Sequence, residues 1–170
     1  MWLPKTEADI IGAVTSGALE ESAIFDAKEQ LSKNSEIAKD IAAMANDGGV
    51  LLYGIGEDDH GRISRLAPIA IIGQAERIDA IVRSSISEPL VIYISTIPTE
   101  ENPEVGYLVV HVPPSERAPH MVVVKGDNRF YGRTATGNSP LTEGEVARLY
   151  ARRQQSEVNR ERLIDAEIDS

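Results

Sequence analysis

The sequence predicts one α+β domain, a mixed β-sheet with helices packed on it, over residues 1–150, and a charged helical tail over 151–170. Three observations predict it. Apolar residues recur at three- and four-residue intervals in four stretches, the period of a helix with one buried face. Short runs of strand length, apolar or alternating, lie between and after them. Glycine- and proline-rich breaks punctuate the two patterns.

Thr6-Glu7-Ala8-Asp9 supplies a cap and first-turn acids for an opening helix with Ile10, Ile11 and Val14 as its stripe. Ser16-Gly17 stops it. Across Glu20–Lys28, Ala23, Phe25 and Ala27 alternate with Ile24, Asp26 and Lys28, the two-residue period of a strand. Residues 34–59 organise the chain: a helix with Ile37, Ile41, Met44 and Ala45 on one face, a Gly48-Gly49 turn, the apolar strand Val50–Tyr53, then Glu57-Asp58-Asp59. Asn34 or Ser35 is the expected cap. His60–Ile63 reads as a turn back into a strand, and Leu66–Ile72, with Pro68, as irregular. Gln74–Ser87 is the third helix. Pro89–Ser95 and Val105–Val112 are strands joined through Thr99–Pro103, and Pro113-Pro114 ends the second. Met121–Val124 and Phe130–Arg133 form a hairpin around Gly126-Asp127-Asn128. Ala135–Pro140 is a loop, and Thr142 with Glu145 makes a capping box for the last helix. Past Arg153 the pattern is charged with few apolar positions.

At 170 residues the chain is long enough to bury roughly two-thirds of its unfolded surface. It contains no cysteine, which excludes disulfides and thiolate metal sites. The amino-terminal residues lack the pattern of a signal peptide, and no apolar run approaches a bilayer span, so a cytoplasmic protein without membrane contact is expected. The net charge of −10 is unevenly spread. Residues 1–110 carry 8 Lys/Arg against 18 Asp/Glu, residues 111–153 carry 7 against 4, and residues 154–170 carry 2 against 5. Phosphate contacts are short-ranged at physiological salt, so a local basic face suffices for nucleic acid and total charge does not decide the matter.

Two constellations carry chemistry. Glu21, Asp26 and Glu57 lie on two predicted strands that, as neighbours, would bring the carboxylates together. Clustered carboxylates suit Mg²⁺ or Mn²⁺, and such a metal can activate water for phosphodiester hydrolysis. Acidic turns also serve only to solvate a loop, and spacing alone leaves both readings open. Arg129, Tyr131 and Arg133 alternate along a predicted strand, a strip for phosphate contact and base stacking or an ordinary exposed face. Gly54-Ile55-Gly56 lacks the third glycine of a dinucleotide fingerprint, and no P-loop lysine motif is present. His60, His111 and His120 show no ligand spacing.

Three segments together resemble the Schlafen-type, divergent Alba-like nucleic-acid-binding domain. They are Glu21-Ser-Ala-Ile-Phe-Asp26-Ala-Lys28, the stretch from Ile37 through Ala43-Met44-Ala45-Asn46-Asp47-Gly48-Gly49 to Tyr53-Gly54-Ile55, and Val110–Pro113 with Tyr131-Gly132-Arg133. The resemblance spans roughly residues 20–150. Family members include bacterial regulators described as DNA- or ATP-binding and animal Schlafens that cleave tRNA and rRNA with three acidic residues. The resemblance implies a nucleic-acid-binding domain with RNA or DNA as partner. Its finer form is a metal-dependent endoribonuclease, with Glu21, Asp26 and Glu57 as catalytic metal ligands and Asp58 or Asp59 as the alternative third acid. Lys28, Arg129, Tyr131 and Arg133 would contact the nucleic acid. Asp26 stands where the family has glutamate, Ala27 where it has phenylalanine, and Gly56-Glu57 where two aspartates are usual. The other reading is a non-catalytic DNA-, nucleotide- or protein-binding regulatory module, and the charged tail admits a homodimer.

Overall fold

The structure, a computed structural model, describes residues 1–135 and 137–170. In chain order it runs α1 (Glu7–Thr15), β1 (Phe25–Lys28), α2 (Asn34–Met44), β2 (Gly49–Tyr53), β3 (Ile55–Glu57), β4 (Ile63–Leu66) and β5 (Ile69–Ala70). There follow α3 (Gln74–Ser85), β6 (Tyr93–Pro98), β7 (Val105–Val112), β8 (Met121–Val124), β9 (Asp127–Thr134), β10 (Gly137–Pro140) and α4 (Glu143–Ile168).

The main sheet is mixed. β1 pairs parallel with β2, β2 antiparallel with β7, and both β5 and β6 antiparallel with β7. The connection from β1 to β2 passes through α2, the crossover that a parallel pair requires. All five residues of β2 are buried because both faces of the sheet are covered. Leu51 and Tyr53 point to α2 and α3, packing with Ile37, Ile41, Ile78, Leu108 and Val110. Val50 and Leu52 point the other way, to Ile10 of α1 and to Ile55, Ile63 and Val109. Each such aliphatic side chain contributes about 1.5–3 kcal/mol on full burial. A β3–β4 ribbon and a β8–β9–β10 sheet complete the architecture, the latter packed against α2.

The expected cap at Thr6 and the expected capping box at Thr142/Glu145 are present, and Asp9 completes a box at the first helix as well. Several local expectations shift. The N-cap of α2 is Lys33, without a side-chain bond, because Asn34 lies inside the helix and accepts from Arg77. β6 begins at Tyr93, four residues later than Pro89, since its pairing with β7 sets its register, while Leu90 and Ile92 pack on the core from a loop. β9 already starts at Asp127, and the turn narrows to Lys125-Gly126, where Gly126 has φ 82°. Gly137–Pro140, expected as loop, is strand β10 paired with β9, and Ile69–Ala70 makes a short pairing with β7. Thr136 of the same expected loop lies outside the described residues. α4 runs unbroken through residue 151 to Ile168, with no buried residue, its polar faces held by ion pairs such as Arg153 to Glu88.

Candidate nucleic-acid interface and its buried charge cluster

Register places the charges. Asp26 stands opposite Leu51 and Lys28 opposite Tyr53, so both face α2 while Ala27 packs towards α1. Asp40 of α2, one turn before Met44, lies over them. Asp26 and Asp40 are each only 5% exposed. Unpaired buried carboxylates would be costly, and two cations meet them. Lys28 Nζ lies 3.2 Å from Asp26 Oδ2 and 3.6 Å from Asp40 Oδ2. Arg133, arriving on β9, donates from Nη1 to Asp26 Oδ2 at 3.1 Å and to Asn138 Oδ1 at 3.3 Å, and from Nη2 to the Ser22 carbonyl at 3.1 Å. Asn138, the β10 partner of Arg133, donates from Nδ2 to Asp40 Oδ1 at 2.5 Å. Two carboxylates and two cations thus form a network that ties β1, α2, β9 and β10 together. Burial works against the charge on Lys28, but Asp40 and Asp26 outweigh it and hold the ammonium above the ordinary lysine range. Burial raises Asp40, with Lys28 and the Asn138 amide opposing.

Glu21 stands at the edge of this cluster. Its carboxyl is pushed up to about 7 by partial desolvation, by a hydrogen bond shared with Asp26, and by the charges of Asp26 and Glu57. Asp26 and Glu57 are therefore each within electrostatic reach of Glu21. Asp58 behaves differently. Its Oδ1 accepts from the backbone N–H groups of His60, at 2.8 Å, and Arg62, at 2.9 Å, closing the turn after β3. Those bonds hold it below the usual carboxylate range. Of the two, Glu57 is the acid that acts on Glu21. Among the described residues no three carboxylate or imidazole side chains are grouped to hold a metal ion. Asp26 faces Lys28 and Arg133, the places where a divalent ion's charge would otherwise act.

Glu21 also lines a surface groove of about 1200 Å³. Its walls include Thr15 and Ser16 at the end of α1, Asp58, and Arg62 and Arg65 around β4. Both arginines are largely exposed, with Arg65 paired to Glu29 and Arg62 to Asp58.

The alternation expected along β9 is present, with unequal burial. Arg129 is 66% exposed and 3.8 Å from Asp127. Tyr131 is buried, donates its hydroxyl to Asp127 Oδ2 at 2.6 Å, and has the Lys39 ammonium 5.3 Å from its ring centre. Arg133 is buried in the cluster described above. Of the expected nucleic-acid contacts, Arg129 is the exposed one. Asp40 and Asn138 were not singled out by sequence reasoning. Their one signal was Asp40's position between Ile37 and Ile41 on the apolar stripe of α2.

The profile of the family described as Schlafen, AlbA_2 matches residues 21–142, from Glu21 to the N-cap of α4. The chain belongs to this family. Comparison with curated proteins finds no match. Among solved structures, it is similar to the N-terminal domain of a RecG-related protein from Nitrosomonas europaea, determined in solution by NMR. The two share 23% identity and superpose with a TM-score of 0.52, covering 66% of this chain and 82% of the other. That likeness shows the fold. No helix among the described residues is long and apolar enough to cross a membrane.

Proposed function

We propose that this domain binds nucleic acid along the groove that passes Glu21. The observation that carries the proposal is the placement of Glu21, at the border of a charge-balanced Asp26–Arg133–Lys28–Asp40 cluster, in the wall of a groove of about 1200 Å³ that Arg62 and Arg65 also line. Membership in the Schlafen AlbA_2 family supports it, as does a fold shared with a protein named for its relation to a DNA helicase. Arg62 and Arg65 in the groove wall would meet phosphates, and Arg129, exposed on β9, is a further cation for a strand that extends past the groove. Lys28 and Arg133 act within the cluster, where they offset the charges of Asp26 and Asp40 beside Glu21.

Binding to single-stranded RNA and DNA, measured over a salt series, tests the proposal. With about three phosphate contacts, log K against log salt should fall with a slope near −2. No binding at low salt overturns it.

Cleavage is the finer reading of the same site. It draws on the nearness of Asp26 and of Glu57 to Glu21, with Mg²⁺ or Mn²⁺ as the metal that such carboxylates would hold. Among the described residues they do not form a three-ligand set. Incubation of tRNA and single-stranded DNA with Mn²⁺ or with chelator, for wild type, Glu21→Ala and Asp26→Ala, decides it. Equal cleavage by all three proteins refutes the carboxylate reading. Binding without cleavage leaves a regulatory module.

A further inference from the structure

β6 is the outer strand of the main sheet. Among the described residues it pairs with β7 alone, and the other side of β7 is taken by β2 and β5. Its free edge can be assigned residue by residue. The Thr99 N–H donates to the Val105 carbonyl at 2.9 Å, and Thr99 and Val105 continue the β6–β7 register. Antiparallel pairs alternate between bonded and non-bonded, so Ile97, Ser95 and Tyr93 turn their N–H and C=O groups to β7. Ile94 and Thr96 turn theirs outward, where among the described residues no backbone group meets them.

Natural sheets guard such an edge with charge, proline or a bulge. Here residues 89–98 carry no charge in a chain that is 26% charged, the register with β7 runs without a shift, and Pro98 only closes the strand's end. Val91 and Tyr93, at the strand's start, are 62% and 61% exposed. The two ends of the strand differ in charge. The turn that follows it holds Glu100, Glu101 and Glu104, all exposed. At the other end the exposed Arg117 borders a shallow groove with Val91 and Pro113, and Arg160, paired to Glu116, stands beside it. A parallel copy of the strand would set acid against acid. An antiparallel copy sets each acidic end on a basic one, twice over, as a two-fold axis requires.

We propose that β6 pairs with β6 of a second copy of this chain, antiparallel about a two-fold axis at Ser95. In that register Ile94 and Thr96 of one copy exchange N–H and C=O groups with Thr96 and Ile94 of the other, so the outward groups of both edges are satisfied. Tyr93, whose ring already stacks on His111 with centres 5.8 Å apart, lies opposite Ile97 on the same face. Thr99, at the start of the acidic turn, comes opposite Val91 and so near Arg117 of the second copy. The proposal does not depend on the nucleic-acid reading. One short strand from each copy is joined, which places the dimer in the weak class of interfaces.

Sedimentation velocity on the full chain, over a series of micromolar concentrations, tests it with wild type, Ser95→Lys, Ser95→Glu and an equimolar mixture of the two variants. The Ser95 side chain is exposed, so either charge leaves the fold in place, which circular dichroism checks. Wild type should be a concentration-dependent dimer. Each variant sets like charges face to face at the axis and should raise the dimer dissociation constant about tenfold or more. The mixture should recover the dimer, because lysine then meets glutamate. Hydrogen exchange gives a second readout: the Ile94 and Thr96 amides should slow as wild-type concentration rises, while the Ser95 amide, bonded to β7, is unchanged. Wild type that stays monomeric at every concentration overturns the proposal and leaves the edge to a different chain. A dimer that survives equally in both variants lies on another surface, such as α4, and also overturns it. A mixture that stays monomeric, or Ile94 and Thr96 amides indifferent to concentration, overturns the Ser95 register.

Discussion

Arg133 and Asp26 should behave as one unit, and a double-mutant cycle measures this directly. Arg133→Met removes the Nη1 donor 3.1 Å from Asp26 Oδ2 and the bond to the Ser22 carbonyl, leaving a carboxylate that is only 6% exposed at its side chain. Breaking a buried ion pair from one side costs about 3–5 kcal/mol. Lys28 Nζ remains 3.2 Å from the same oxygen, which places the expected loss at the lower end, about 3 kcal/mol. For a chain of this size that corresponds to a fall in Tm of roughly 6–12 °C. Asp26→Asn keeps the shape and leaves Arg133 with Ser22 and Asn138, so its cost should be smaller, about 2 kcal/mol. The double variant has no uncompensated carboxylate at this position. It should cost about as much as Arg133→Met alone, a coupling near 2 kcal/mol. Urea denaturation at neutral pH supplies the four stabilities, and circular dichroism checks that the fold persists. A loss below about 1 kcal/mol for Arg133→Met, or additivity within about 0.5 kcal/mol, would show that the pair is not coupled and that the cluster reading is wrong.

Glu21, at about 7 in the folded protein against an ordinary 4.5, binds its proton more tightly when folded. Its contribution therefore favours folding below pH 4.5 and is lost as pH rises through 7, so Glu21→Gln should gain stability relative to wild type across that window; parallel urea midpoints refute the shift. Glu57→Gln should lower the Glu21 midpoint in an NMR titration while Asp58→Asn leaves it in place, which identifies the third acid. Gly106→Ala would set a Cβ 2.1 Å from the Ile97 carbonyl of the paired strand, and should cost about 3 kcal/mol or more or abolish soluble expression; near-wild-type stability would mean that the β6–β7 register is wrong. Thr142→Ala removes the side-chain acceptor for the Glu145 N–H and should cost about 1 kcal/mol, seen as lost helicity at elevated temperature.

The sequence by itself determined the order of elements wherever the signal is local. The α2 stripe, the apolar β2 run and the helix caps at Thr6 and Thr142 depend on residues within about four positions of each other, and these features stand where the local pattern puts them. The family pattern likewise reads from Glu21 onward without any knowledge of contacts. Tertiary structure alone decided what the charges face. Asp26 and Lys28 alternate on a strand just as a solvated pair would. Only the crossover of α2 over β1, and the arrival of β9 from more than a hundred residues away, turn them into a buried network with Asp40, Arg133 and Asn138. The same physics explains the shifted boundaries: β6, β10 and β5 exist through pairing partners distant in sequence, whose hydrogen bonds no local pattern encodes. Tyr131 and Arg133, alike in the alternation that suggested a binding strip, are drawn inward by α2 and Asp26, while Arg129 on the same strand stays in solvent.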